Sequence, residues 1–306
     1  MVVLLNPSRD ASKWVAAFRA ELPDMDVELW PDVGDPDRVE FVVATRHDVA
    51  DLGNYPNLRA VLAMGAGVEQ YSGPLMPDVP VVRLADPAMS DEMAAYVVHW
   101  IVHFQRRMDV YLSQQGRAEW REAPFAAAAE YPVGILGFGT IGTRIAAALF
   151  DLGYPINAWT RTGVEAEWVT GFSGQDELDD FLSACAAVVN ILPRTAATSG
   201  LLNAARFRHF RRGALLVNLG RGATTDEVDL DRALDDGQVG MAVLDVVASE
   251  PLDPASPLWT HEHVRITPHA AGFTSVPSAS RLIAANIRRI VNGEQPFPMV
   301  DKVRGY

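Results

Sequence analysis

Three polar residues stand in short turns that each follow an apolar run: Arg221 in Asn218-Leu219-Gly220-Arg221-Gly222, Glu250 in Leu244-Asp245-Val246-Val247-Ala248-Ser249-Glu250-Pro251, and His269 in Ile266-Thr267-Pro268-His269-Ala270-Ala271. An imidazole holds or releases a proton near neutral pH, so His269 is the natural general acid. A carboxylate beside it, Glu250, would favour the imidazolium, raise its pKa and orient the ring. The guanidinium of Arg221 offers a planar fork of donors to a carboxylate and a carbonyl oxygen, a geometry that lysine matches poorly. Together these groups suit proton transfer to an oxygen beside a bound carboxylate. Singly, each has a plainer reading: a histidine after proline is commonly a loop residue, Arg-Gly a turn and Glu-Pro the end of a strand. Their convergence on successive strand ends favours chemistry, because open parallel sheets place ligands there.

A second constellation precedes them. Val133-Gly134-Ile135-Leu136 has the pattern of a buried strand and runs into Gly137-Phe138-Gly139-Thr140-Ile141-Gly142, with a helical stretch from Thr143 to Phe150 behind it. This is G-x-G-x-x-G in the strand-turn-helix context that a dinucleotide site requires. Gly137 allows the tight turn, Gly139 lets the backbone approach a pyrophosphate, and Gly142 lets helix and strand pack closely. The amides of Thr140 and Ile141 then face the phosphates. At the end of the next strand, where an acid would bind the ribose hydroxyls of NAD, the sequence has Thr160-Arg161-Thr162. A guanidinium between two hydroxyls suits a 2′-phosphate, so NADP(H) is preferred, with NAD(H) open if Glu165 or Glu167 folds back to serve it.

The elements that must position these groups follow from periodicity. Apolar runs at Val133–Leu136, Ile156–Thr160, Ala187–Leu192, Ala214–Asn218, Met241–Val246 and Val264–Thr267, most of them separated by helical stretches, predict six strands of a parallel doubly wound sheet. The part before it alternates short strands (Val2–Leu5, Phe41–Ala44, Leu58–Met64, Val79–Leu84) with an amphipathic helix over Ser12–Glu21, a smaller α/β unit. A helix is expected from Ser90, with Asp91 and Glu92 in its first turn and Met93, Tyr96, Val97, Trp100, Ile101 and Phe104 at helical spacing. It is apolar nearly all round, which predicts cover on every side and a possible subunit contact. A last helix over Pro277–Asn292 sets Ile283, Ile287 and Ile290 against Arg281, Arg288 and Arg289, and is expected to pack back onto the first unit. The domains expected are therefore 1–92 completed by 275–306, and 93–274.

Length and composition bound the remaining classes. A chain of 306 residues, 49% apolar and 21% charged, fits about two globular domains. A net charge of −13 disfavours nucleic acid and anionic membrane surfaces as partners. The single cysteine, Cys185, excludes an intrachain disulfide and suits a reducing compartment, by default the cytoplasm; beside an apolar strand it should be buried. The apolar run at residues 1–5 is too short for a signal-peptide core, and Met93–Val102 is half the length of a membrane span. His99 and His103 lie four apart, but no third metal ligand is evident, and the other histidines lack a catalytic setting.

In order and spacing these segments resemble the D-isomer-specific 2-hydroxyacid dehydrogenase family. The resemblance runs from about Leu58 to the C-terminus through Met64-Gly65-Ala66-Gly67-Val68, the glycine fingerprint, Asn190-Ile191-Leu192-Pro193-Arg194-Thr195, and the Arg221, Glu250 and His269 segments. Trp159-Thr160-Arg161-Thr162, Ser256-Pro257-Leu258-Trp259 and the terminal Val303-Arg304-Gly305-Tyr306 are similar to its glyoxylate and hydroxypyruvate reductase branch. Two segments depart from the pattern: Thr45-Arg46-His47-Asp48 stands in place of an aromatic-and-proline loop, and Arg194 where asparagine is common. The resemblance implies a Rossmann cofactor domain, a smaller flavodoxin-like substrate domain and a cleft between them. It further implies NADPH-dependent reduction of a small 2-keto acid such as glyoxylate or hydroxypyruvate, with the amides of Ala66 and Gly67 gripping the carboxylate. Leu192, Pro193, Leu219, Gly220 and Asp245 then contact the cofactor. A homodimer is expected separately, through the apolar Met93–Val102 helix. A different class, a dinucleotide-sensing interaction protein of corepressor type with little turnover, shares this fold and is separated by an assay of turnover.

Overall fold

The computed structural model describes residues 1–45, 47–71 and 76–301. Arg46 and the terminal Val303-Arg304-Gly305-Tyr306, singled out above, lie outside the described residues. The chain divides into two compact units, one of Met1–Met89 with Thr274–Tyr306 and one of Ser90–Phe273.

In the first unit the elements are β1 (Val2–Asn6), α1 (Ala11–Glu21), β2 (Asp26–Leu29), β3 (Val39–Ala44), β4 (Ala60–Ala63) and β5 (Val81–Val82). The five strands pair in parallel in the order β2-β1-β3-β4-β5. This is the doubly wound order of flavodoxin-like sheets. Strand β2 was not foreseen, because Asp26-Val27-Glu28-Leu29 lies at the sheet edge with only Val27 buried and offers no apolar run. Helix α1 buries Trp14 and Phe18, four apart on one face.

Helix α2 (Pro87–Gln105) begins three residues before the expected Ser90. Pro87 takes its first position and Asp86 Oδ1 accepts from Ala88 N at 3.0 Å, so the cap is Asp86 and Ser90 is already helical. The expected cover on all sides does not hold within one chain. Met93, Ala94, Val97 and Ile101 are buried, whereas Trp100 and Val102 are half-buried and His99 is exposed.

The second unit continues with α3 (Met108–Gly116), β6 (Val133–Leu136), α4 (Thr140–Asp151), β7 (Ile156–Thr160), β8 (Thr170–Ser173), α5 (Leu178–Ala184), β9 (Ala187–Asn190), α6 (Ala204–Phe207), β10 (Ala214–Asn218), α7 (Glu227–Asp235), β11 (Val239–Leu244) and β12 (Val264–Ile266). Its sheet has seven parallel strands, β12-β11-β10-β9-β6-β7-β8, one more than expected. The addition is β8, an edge strand with no buried residue and hence no hydrophobic signature. Strand order reverses between β6 and β9, which marks the crevice where doubly wound sheets take ligands. Beneath the fingerprint, a Cβ on Gly134 would lie 2.4 Å from Cys185 Sγ. Burial pushes that thiol up to about 12, so Cys185 is an inert packing atom here.

The chain returns to the first unit with α8 (Val276–Val291), which buries Ala279, Ile283, Ala284 and Ile287 and leaves Arg281, Arg288 and Arg289 exposed. It packs beside α1. Among the described residues no helix is long and apolar enough to cross a membrane.

His47, just beyond β3, is buried against Trp30 and Tyr55. Asn6 Nδ2 donates to its Nδ1 at 3.1 Å, and its Nε2 is buried without a partner among the described residues. Burial holds its pKa below the ordinary histidine value, against the opposing pull of Asp51 and Asp48. The unfolded chain therefore takes up this proton near pH 6.5 while the folded chain does not. The contribution of His47 to stability is complete above that pH and is lost as pH falls through about 6.5 towards the lower folded value. His47→Gln should accordingly show a smaller loss of stability than the parent between pH 7.5 and 5.5 in urea denaturation; equal losses would show that His47 is not a source of the pH dependence.

Candidate active site

The glycine turn is built by sterics. Gly137 has φ 100°, in the left-handed region, and a Cβ on Gly142 would lie 2.0 Å from Gly137 O. Both positions therefore require glycine for the turn itself. Above Gly139 there is open space, and as N-cap of α4 it leaves the first-turn amides of Thr140 and Ile141 without a side-chain cap. An open, uncapped helix start directly behind a buried strand fits a pyrophosphate. At the end of β7, Arg161 and Thr162 are exposed, and the Thr160 hydroxyl is spent on Gly163 O at 2.7 Å. Arg161 and Thr162 are thus the members of that trio exposed to solvent, and Arg161 alone of the three is charged.

Two buried amides organise the next strand ends, and sequence reasoning passed over both. Asn190 closes β9 and Asn218 closes β10, and Asn190 Nδ2 donates to Asn218 Oδ1 at 3.0 Å and to Thr224 Oγ1 at 2.6 Å. Their carbonyl oxygens accept from Leu192 N at 3.2 Å and Gly220 N at 3.3 Å. The Thr224 hydroxyl donates to Arg221 O at 2.6 Å. One buried network therefore sets the backbone of Leu192, Gly220 and Arg221 together. The signal available in sequence was an asparagine directly following an apolar run in each case, Ala187-Val188-Val189 and Ala214-Leu215-Leu216-Val217.

The last two turns meet directly. His269 Nδ1 lies 2.9 Å from Glu250 Oε2, with the imidazole half exposed and the carboxylate about a third exposed. With the carboxylate ionised, Nδ1 donates, so in the neutral ring Nε2 is the basic nitrogen and in the imidazolium it is the available acid. His269 has φ 52°, unusual for a residue with a Cβ, and its amide donates to Asp245 O and Thr267 O at 2.9 and 3.0 Å. Asp245, buried at the end of β11, is turned onto the same loop. Its Oδ1 accepts from the Thr267 hydroxyl at 2.6 Å and from Ala270 N at 2.8 Å, and its Oδ2 from Ala271 N at 3.0 Å. The carboxylate expected to meet the cofactor thus has both oxygens occupied in holding the His269 loop.

Arg221 is half-buried at the end of β10, beside β11, and Nη1 donates to Gly220 O at 2.7 Å. Leu192 and Leu219 are buried, while Pro193 is half-buried. Ala66 and Gly67, half-buried, follow β4 in the first unit. The exposed Arg194 stands beside the β9 end.

Comparison with known proteins accords with this geometry. Residues 98–271 match the family described as D-isomer specific 2-hydroxyacid dehydrogenase, NAD binding domain. A D-isomer specific 2-hydroxyacid dehydrogenase from Xanthobacter autotrophicus Py2, solved in complex with NADPH and MES, is 36% identical with a TM-score of 0.95, covering 100% of this chain and 99% of that one. An NADPH-dependent glyoxylate/hydroxypyruvate reductase from Sinorhizobium meliloti, in complex with NADP and sulfate, is 30% identical over 100% of this chain and 99% of its own, with a TM-score of 0.94. A probable 2-hydroxyacid dehydrogenase from Rhizobium etli CFN 42, in complex with NADP, HEPES and L(+)-tartaric acid, is 30% identical over 99% of both chains, with a TM-score of 0.92. Matched at these levels over its whole length, the chain belongs to the D-isomer-specific 2-hydroxyacid dehydrogenase family of oxidoreductases.

Proposed function

We propose that the protein reduces a small 2-keto acid, such as glyoxylate or hydroxypyruvate, to the 2-hydroxy acid at the expense of NADPH. The observation that carries this reading is the His269–Glu250 pair, 2.9 Å apart, on a loop held by a buried carboxylate. The names of the relatives support the substrate class and the choice of dinucleotide.

Bound NADPH supplies the hydride that arrives at C2 of the keto acid. As charge develops on the carbonyl oxygen, His269 gives it a proton from Nε2, the nitrogen not engaged by Glu250. Glu250 orients the ring and balances the imidazolium. Arg221 clamps the substrate carboxylate and polarises the carbonyl through its planar fork, and the rest of the carboxylate grip is assigned to the amides of Ala66 and Gly67. In the reverse direction the same histidine accepts the hydroxyl proton.

For the cofactor we assign the pyrophosphate to Gly137, Gly139, Thr140, Ile141 and Gly142. The 2′-phosphate falls to Arg161 and Thr162, with the Thr160 hydroxyl holding the turn through Gly163 O, and the remaining contacts to Leu192, Pro193, Leu219 and Gly220. NADPH is preferred on the exposed guanidinium at the end of β7, where no acid stands. We further propose a homodimer formed through α2, whose Trp100 and Val102 are left half-buried in the single chain. One buried cysteine suits the reducing cytoplasm.

His269→Ala should lower kcat by roughly 100- to 10,000-fold while NADPH binding, followed by nicotinamide fluorescence, changes little; normal turnover would remove the acid role. Arg161→Ala should weaken NADPH by about 10- to 100-fold, the worth of a charge-assisted hydrogen bond, and leave NADH almost untouched, whereas equal losses would place the 2′-phosphate elsewhere. Arg221→Lys should raise KM for the keto acid on the order of tenfold or more through loss of the bidentate clamp. An unchanged KM in steady-state assays would exclude the clamp.

A further inference from the structure

Helix α2 reaches the His269 loop through one side chain. The Tyr96 hydroxyl lies 2.7 Å from Thr267 Oγ1, and Thr267 Oγ1 lies 2.6 Å from Asp245 Oδ1. Asp245 is 3% exposed, and its oxygens also accept from Ala270 N and Ala271 N. The direction of the chain follows from proton counting. An ionised carboxylate only accepts, so the Thr267 hydroxyl spends its one proton on Asp245, and Tyr96 must be the donor to Thr267. Burial keeps the Tyr96 phenol above its ordinary pKa, so it holds that proton across the neutral range. The Tyr96 ring is itself packed edge-on to Trp100, with centroids 6.3 Å apart.

Donors in series strengthen one another, and a charged acceptor at the end makes the last bond the strongest. The Asp245 carboxylate is the common anchor of residues 267, 270 and 271, which bracket His269. His269 meanwhile sits at φ 52°, a conformation that persists only when its surroundings over-determine it. We propose that Tyr96 is a positioning residue for the reaction: its hydroxyl, through Thr267 and Asp245, holds the loop in the arrangement that keeps His269 paired with Glu250.

This inference rests on the reading of His269 as the proton donor, and its test includes a readout that does not. In the full chain, the imidazole nitrogens are followed by long-range proton–nitrogen spectra, with the His269 signals assigned by their loss in His269→Gln. The variants are Tyr96→Phe, Thr267→Val, the double variant and Thr267→Ser. Tyr96→Phe should shift or broaden the His269 signals and lower kcat about three- to tenfold, with NADPH affinity within about twofold of the parent. Thr267→Val should do the same, and the double variant should be no worse than Thr267→Val alone, because both changes break one chain. Thr267→Ser, which keeps the hydroxyl, should behave like the parent.

Unmoved His269 signals and parental kcat in Tyr96→Phe would overturn the proposal, as would additive losses in the double variant. If the parent turns over no keto acid and Tyr96→Phe still moves the His269 signals, the positioning role stands and the reductase reading falls.

Discussion

Asp245 sits at the end of β11, out of water, and accepts from Thr267, Ala270 and Ala271. A buried carboxylate is stable only while hydrogen-bonded on both oxygens, so the chain that satisfies it has little freedom to move. That chain is the loop carrying His269. A strand end thus converts the rigidity of a seven-stranded parallel sheet into a defined place for an imidazole that is itself half exposed. The two acids differ in solvation: Asp245 is spent inside the protein on two backbone amides and the Thr267 hydroxyl, whereas Glu250 is left nearer water and meets the ring.

The neighbouring strand ends use the same device with neutral groups. Asn190 and Asn218 bond each other and turn their remaining capacity on the loops that follow them. Fully satisfied amides in a low-dielectric interior specify one arrangement, since any shift leaves a buried donor or acceptor unmet. The backbone around Leu192, Gly220 and Arg221 is thereby shared between β9 and β10. The group proposed to clamp the substrate and two of the residues proposed to contact the cofactor therefore answer to one network.

How much of this was legible beforehand depended on distance along the chain. The glycine turn was readable because strand, turn and helix are contiguous, and the glycine at 142 is dictated by an oxygen only five residues away. The histidine, its acid and the arginine were readable as residue types at strand ends. Edge strands β2 and β8 were not, since residues at a sheet edge bury little and leave no hydrophobic period. The start of α2 was misplaced at Ser90 because both Asp86 and Ser90 are good caps, and the choice fell to Asp86.

By itself, then, the chain of residues determined the fold class, the glycine fingerprint and the residue types that stand at the strand ends, because these follow from periodicity and from chemistry carried by single side chains. Tertiary structure alone decided what those groups touch. Asp245 anchors the His269 loop, Asn190 pairs with Asn218 across two strands, and Tyr96 bonds Thr267 from 171 residues away. Hydrogen bonds are short-ranged and directional, so partners remote in sequence are set only once the sheet and helices have brought their atoms within about 3 Å.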